Sequence, residues 1–319
     1  MLRMLSVVSA VVFVAVPVDS QELSFDTQAG RLSISLGQQR IATYVWDDAE
    51  ISRPYFCNLK APDGTRVTRR NPPDPVADAG NVDHATFHPG LWLSFGDLGG
   101  ADFWRLKARV RHERFEVLPV VEGASLRFAV RNLYETRESP PRLLAEERCA
   151  YTITPAEDGY LIRSVSDIKA SAPGVAFGDQ EEMGFGIRLD TPLTVKQRRG
   201  IITASHGGRD EAGTWGKPAS WCAAAGKADG RWTGVMLIPG PDNFRPSWFH
   251  TRDYGLLVAN PFGRKSMTAP NDAQAPPERT PLPEAEPMTL EFMVRVFSVG
   301  EDGIPDYQAY HEEALRLRD

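Results

Sequence analysis

Cysteine is scarce in this chain, with three among 319 residues, at Cys57, Cys149 and Cys222. Their wide, irregular spacing excludes a disulfide-stapled fold and matches no zinc motif, so they read as small buried hydrophobes. Basic charge is not in excess: 36 Lys and Arg stand against 42 Asp and Glu, giving a net charge of −6. That balance argues against a polyanionic partner, and no nucleic acid is expected. Beyond the first twenty residues, no apolar run approaches the roughly 20 residues that a membrane-spanning helix needs. The chain has no G-x-S-x-G element and no serine with an identifiable base, which argues against serine nucleophile chemistry. Gly184-Phe185-Gly186 is not followed by a helix start and is not read as a phosphate loop.

The N-terminus has the pattern of a secretory leader: Arg3, a short apolar run, Pro17, then small residues before Gln21. Residues 1–20 are therefore expected to be removed, leaving 21–319 as one periplasmic or secreted domain. Period-2 alternation dominates that remainder, at Leu32/Ile34/Leu36, Leu126/Phe128/Val130 and Leu290/Phe292/Val294/Val296. Turn pairs such as Asp63-Gly64, Gly99-Gly100 and Asp158-Gly159 punctuate it. The pattern predicts an all-β fold, a large antiparallel β-sandwich. One helix is expected, over 305–318, with Tyr307, Tyr310, Ala314 and Leu315 on one face and Pro305 in the first turn. The Pro-rich stretch 269–287 reads as a long surface loop.

Chemistry-bearing residues concentrate in three places. Residues 81–104 (NVDHATFHPGLWLSFGDLGGADFW) hold Asp83, His84, His88, Trp92 and Trp104. If 87–96 is extended, His88, Trp92 and Ser94 share one face. His84 and His88 are candidate acid and base, because imidazole titrates near neutrality. Asp83, His84 and His88 are also candidate ligands of a divalent metal. In 181–190 (EEMGFGIRLD), Glu182, Gly184, Gly186 and Arg188 share a face opposite Met183, Phe185, Ile187 and Leu189. Two glycines between an acid and a base leave room for a ligand lying flat, with Glu182 a candidate catalytic carboxylate and Arg188 a candidate anion binder. In 248–263 (WFHTRDYGLLVANPFG), Trp248, His250, Arg252 and Tyr254 project to one side and Asn260 opens a turn. That face suits a hydroxylated ring, with His250 a further acid–base candidate. Lys217, between Trp215 and Trp221, is a weaker candidate wall of the same cleft. The alternatives are, for the first group, histidines hydrogen-bonded within a loop; for the second, cross-strand ion pairs on a solvated face; for the third, a half-exposed strand with cation–π pairs; and for Trp215 and Trp221, core anchoring. The basic alternation Arg105, Lys107, Arg109, Arg111 is read only as a solvated face with cross-strand ion pairs.

Five segments, 53–69, 83–104, 181–189, 215–221 and 248–263, together resemble the bacterial family labelled "methane oxygenase PmoA", a domain of unknown function in exported proteins. Pro89 stands where that family commonly has a second histidine. The label's membrane enzyme is not implied, since the apolar spans it needs are lacking. The resemblance implies a supersandwich like that of galactose mutarotases and, from the company the family keeps, a sugar or keto-sugar substrate.

The expected function is an exported carbohydrate-active protein, with a small-molecule carbohydrate as partner. It would act by His/Glu proton transfer as an epimerase, lyase or hydrolase. His84, His88, Glu182 and His250 would be catalytic, and Trp92, Arg188, Lys217, Trp248, Arg252, Tyr254 and Asn260 would bind substrate. A non-catalytic carbohydrate-binding module is the alternative, and a metal-dependent enzyme built on Asp83, His84 and His88 is the third reading. No organic cofactor is expected, and the oligomeric state is left open.

Overall fold

The computed structural model describes residues 22–197, 200–228, 230–268, 277–300 and 303–318. The expected leader and part of the Pro-rich stretch, 269–276, lie outside them. The first strands, β1 (Leu23–Gln28), β2 (Arg31–Leu36) and β3 (Gln39–Val45), form a meander that β4 (Tyr55–Cys57) and β5 (Leu91–Phe95) extend. A second meander of longer strands follows: β6 (Arg109–Glu122), β7 (Ser125–Glu135), β8 (Leu143–Ala156) and β9 (Gly159–Ala170). Then come β10 (Ala176–Phe177), β11 (Met183–Arg188), β12 (Gly200–Ala204), β13 (Lys217–Pro218) and β14 (Cys222–Ala228). The last strands are β15 (Arg231–Pro239), β16 (Trp248–Arg252), β17 (Leu256–Asn260), β18 (Thr280–Pro281) and β19 (Met288–Val299). The short helices α1 (Asp210–Thr214) and α2 (Arg264–Thr268) interrupt the series, and α3 (Tyr307–Arg316) follows it.

Two large antiparallel sheets result, as the alternation predicts. One has nine strands in the order β1-β2-β3-β4-β5-β11-β17-β16-β13, and the other eight in the order β12-β14-β15-β19-β9-β8-β7-β6. Inward-facing residues of both form one continuous apolar core. Phe185 of β11 stacks on Phe292 of β19 with centroids 5.1 Å apart, and Phe56 of β4 meets Tyr151 of β8 edge-on at 5.1 Å. At roughly 25 cal/mol per Å² of apolar surface removed from water, such burial dominates what holds the sheets together. The three cysteines are free and buried, as expected. A carboxyl enters this core: Glu147 of β8 accepts from Asn132 Nδ2 at 2.8 Å and Tyr134 Oη at 3.4 Å.

Alternation fails where both faces are covered. From Leu290 to Val299, β19 is buried at every position, because α3 packs on the outer side against Met293 and Phe297. That helix begins later than expected. Asp306 caps it by accepting from the Ala309 amide at 3.0 Å, so Pro305 precedes the cap instead of filling the first turn. Likewise β6 begins only at Arg109, and Leu106 has a positive φ of 60°. Arg109 and Arg111 pair with Glu135 at 2.8 and 2.9 Å, which is the cross-strand pairing the basic alternation suggested. No helix among the described residues is long and apolar enough to cross a membrane.

Candidate functional site

The outer face of the nine-stranded sheet carries a second, smaller apolar layer: Val45, Tyr55, Cys57, Trp92, Trp104, Leu256 and Val258. The β4–β5 connection folds over this layer, held there by two buried arginines. Arg69 donates to the carbonyls of Asn81 (2.7 Å), Asp83 (2.6 Å), His84 (3.3 Å) and His88 (3.0 Å). Arg53 donates to Phe103 O (3.1 Å), Trp104 O (2.7 Å) and Phe87 O. Burial pushes the Arg53 guanidinium down to about 9, and burial with the nearby Arg188 charge takes Arg69 to about 10. Charge-assisted bonds to carbonyls are what keep such groups inside.

The clamped segment is one helical turn, closed by the His88 amide on the His84 carbonyl at 3.0 Å. It is not the extended run that would align His88 with Trp92 and Ser94. Trp92 and Ser94 do share the outer face, but His88 folds back and stacks on the Trp92 ring at 5.1 Å and 12°. Trp104 closes the group edge-on to both rings. The Gly186 position faces these indoles. An added Cβ there would lie 3.0 Å from Trp92 and 3.3 Å from Trp104, so that glycine makes room for protein and not for a ligand.

Arg188 is the hub. Its Nε donates to Asn81 Oδ1 at 2.9 Å, its Nη2 to Asp83 Oδ1 at 2.7 Å, and its Nη1 to His88 Nδ1 at 3.2 Å. It is fully buried beneath the Tyr254 ring, 4.2 Å from the centroid. With its donors committed, Arg188 orients neighbours and does not reach a substrate oxygen. It also stands between Asp83 and His88, where a shared dication would have to sit. Among the described residues no three His, Cys, Asp or Glu side chains are placed to hold a metal. His88 is held well below its usual pKa by burial first and by Arg188 next, so it is neutral and acts as a positioning residue.

Asp83 and His84 face water, each side chain 44% exposed. Asp83 Oδ2 lies 2.6 Å from His84 Nδ1, which leaves His84 Nε2 free. Burial opposes ionisation of Asp83, but the Arg188 charge and the His84 bond outweigh it and hold this carboxyl below its usual range. His84 has φ +51°, a left-handed conformation that costs a non-glycine residue about 1 kcal/mol or more.

The β16–β17 hairpin supplies a neighbouring group. Arg252 donates to Glu211 at 2.9 Å and Glu181 at 3.1 Å, and its guanidinium lies 5.6 Å from the Trp215 ring centroid. Trp215 Nε1 donates to His250 Nδ1 at 3.1 Å. Burial, then the Arg252 charge, pushes His250 down to about 3, so this histidine is neutral and does not serve as an acid near neutrality. Sequence patterning placed His250, Arg252 and Tyr254 together. It missed Glu181, Glu211 and Asn81, which lie outside the strands and are brought in by chain reversals with no periodic signature.

Other expected site residues are not brought to His84. Glu182 is paired with Arg105, beside Asp102. It precedes Arg188 by six positions of extended chain, about 20 Å. Asn260 is buried, accepting from the Phe262 and Gly263 amides at 2.7 and 2.9 Å, so it builds its turn. Lys217 is exposed and donates to Gly213 O at 2.8 Å. Trp248 is half-buried, one spacing beyond His250 on β16.

These features define a β-sandwich with a loop-covered polar and aromatic site on one outer sheet face. The chain belongs to the family of unknown function DUF6807, whose model matches residues 31–302. The match does not confirm the methane oxygenase label of the resemblance. No curated protein matches the chain.

Proposed function

We propose that this face binds a sugar or oxidised sugar outside the cytoplasm and moves a proton on it, with His84 as the acid–base group. The observation that carries the reading is the half-exposed Asp83–His84 pair at 2.6 Å, backed by buried Arg188. Asp83 accepts the Nδ1 proton and stabilises the imidazolium that forms when Nε2 takes a proton from substrate; Arg188 keeps Asp83 ionised. Strain at His84, maintained by the Arg69 clamp, is of the kind that gathers at functional positions. Tyr254 offers an aromatic face beside the pair, and the resemblance to exported sugar-linked proteins supplies the substrate class. Epimerisation, elimination and hydrolysis all begin or end with such a transfer.

The test is a turnover screen of mono- and disaccharides and their keto forms, comparing wild type with His84→Asn. The variant is expected to lose at least about 100-fold in kcat/KM with unchanged thermal stability. Full turnover in the variant would remove His84 from the mechanism, and absence of any carbohydrate binding to the wild type would overturn the sugar reading. One observation favours the non-catalytic binding module instead: Glu182, the carboxylate expected as second base, is held by Arg105 and not by the His84 group. Binding without turnover, equal in both proteins, would establish that alternative.

A further inference from the structure

We infer that the group around Arg252, which adjoins the Asp83–His84 position, takes the second ring of a glycoside, making the ligand at least a disaccharide. The inference rests on the carbohydrate reading above. Its geometry comes from sheet register. Arg188 of β11 lies opposite Leu256 of β17, which lies opposite Arg252 of β16. Two strand spacings are about 10 Å, the length of a disaccharide and not of a single ring. Tyr254 bridges the two positions: its ring covers Arg188, and its phenol feels the charges of Asp83 on one side and of Arg252 and Glu211 on the other.

The second position has its own recognition chemistry. Glu181 and Glu211 keep 41% and 36% of their side-chain surface exposed while sharing Arg252, so lone pairs remain free for hydroxyl donors. The Trp215 indole, under the Arg252 guanidinium, presents an aromatic surface for sugar C–H groups. Independent of these, His250 is almost wholly buried, yet its ring is not fully satisfied. Because Nδ1 accepts from Trp215, the neutral imidazole carries its proton on Nε2. That Nε2–H has no hydrogen-bond partner among the described residues, and it is not among the fully enclosed orphan atoms. His250 is 2% exposed, and this Nε2–H is a donor left without a protein acceptor among the described residues. Two carboxylates against one guanidinium leave this end one negative charge in excess, so the ring it holds is uncharged, and a carboxylated ring is rejected.

Isothermal titration of the full-length protein tests this with glucose and galactose against cellobiose, maltose and lactose. At least one disaccharide is expected to bind tenfold or more tightly than either monosaccharide. Trp215→Ala, and separately Glu181→Gln with Glu211→Gln, should bring that affinity ratio toward one. If Trp215→Ala does not fold, Trp215→Phe keeps a ring but loses the indole donor, and should lower the ratio in part. Equal affinity for monosaccharides and every disaccharide overturns the inference while leaving the sugar reading intact, as does a ratio that no variant changes. Failure of the wild type to bind any of the five sugars or their keto forms sinks both.

Discussion

His84 carries information that its identity alone does not. The sequence marks it as a histidine near other polar groups; only the backbone shows it held at φ +51°, its carbonyl gathered with those of Asn81, Asp83 and His88 by the Arg69 guanidinium, 12 to 19 positions earlier in the β4–β5 connection. A second residue whose meaning lies in its surroundings is Glu147, a carboxyl inside the sandwich core. Burial raises its pKa, and the bonds from Asn132, Ser166 and Tyr134 only partly offset this. A carboxyl whose folded pKa is raised binds its proton more tightly in the native state than in the unfolded chain. Its stabilising contribution is complete below the unfolded value, roughly 4.3, and is lost as pH rises through the folded value. Glu147→Gln removes that titration while keeping the side-chain shape. The variant should be more stable than wild type at pH 8 by about 1 kcal/mol, with the gap closing toward pH 4, as read from urea melts across that range. A gap that is constant or widens on acidification would show Glu147 to be ionised in the fold.

At the scale of elements, β11 shows both the reach and the limit of patterning. Alternation correctly sends Met183, Phe185 and Ile187 into the core and Gly184, Gly186 and Arg188 outward. It does not say what covers the outward side. The glycines read as clearance for a ligand, but the space above Gly186 is filled by Trp92 and Trp104, delivered from a strand and a loop about ninety positions earlier in the chain. Gly186→Ala tests that packing. The new methyl would stand 3.0 and 3.1 Å from Trp92 and 3.3 Å from Trp104, and both indoles are buried. Overpacking of this kind costs typically 1–3 kcal/mol. The variant should lose that much stability and show altered tryptophan fluorescence, because the indoles must shift; a silent substitution would mean that the layer is loosely packed. The same gap between direction and cover appears at β19, where alternation gives Leu290, Phe292, Val294 and Val296 one face and does not say that α3 covers the other, at Met293 and Phe297. Sequence was most legible where one face meets core and the other meets water. It was least legible in the β4–β5 connection, where isolated arginines, not a period, organise the chain.

Across the whole molecule, the sequence supplied the architecture, two antiparallel sheets and a terminal helix, and left open how tightly the parts depend on one another. The packing answers that. One apolar core draws on both large sheets, and the nine-stranded sheet is itself assembled from chain segments on either side of the second meander, since β5 pairs with β11. Neither sheet can separate without exposing the inner face of the other, and the nine-stranded sheet cannot form until distant segments meet. The site inherits that dependence, because Asp83 and His84 come from one side of the meander and Arg188 and Tyr254 from the other. Unfolding in urea is therefore expected as one transition. Far-UV circular dichroism, reporting all strands, and tryptophan fluorescence, reporting Trp92 and Trp104 over one sheet and Trp221 and Trp232 over the other, should share a midpoint. Separate midpoints would divide the chain into independently stable units. A coincident loss of sugar binding at that same midpoint would place the Asp83–Arg188 link among the last contacts to survive, as its position at the junction of the two chain segments requires.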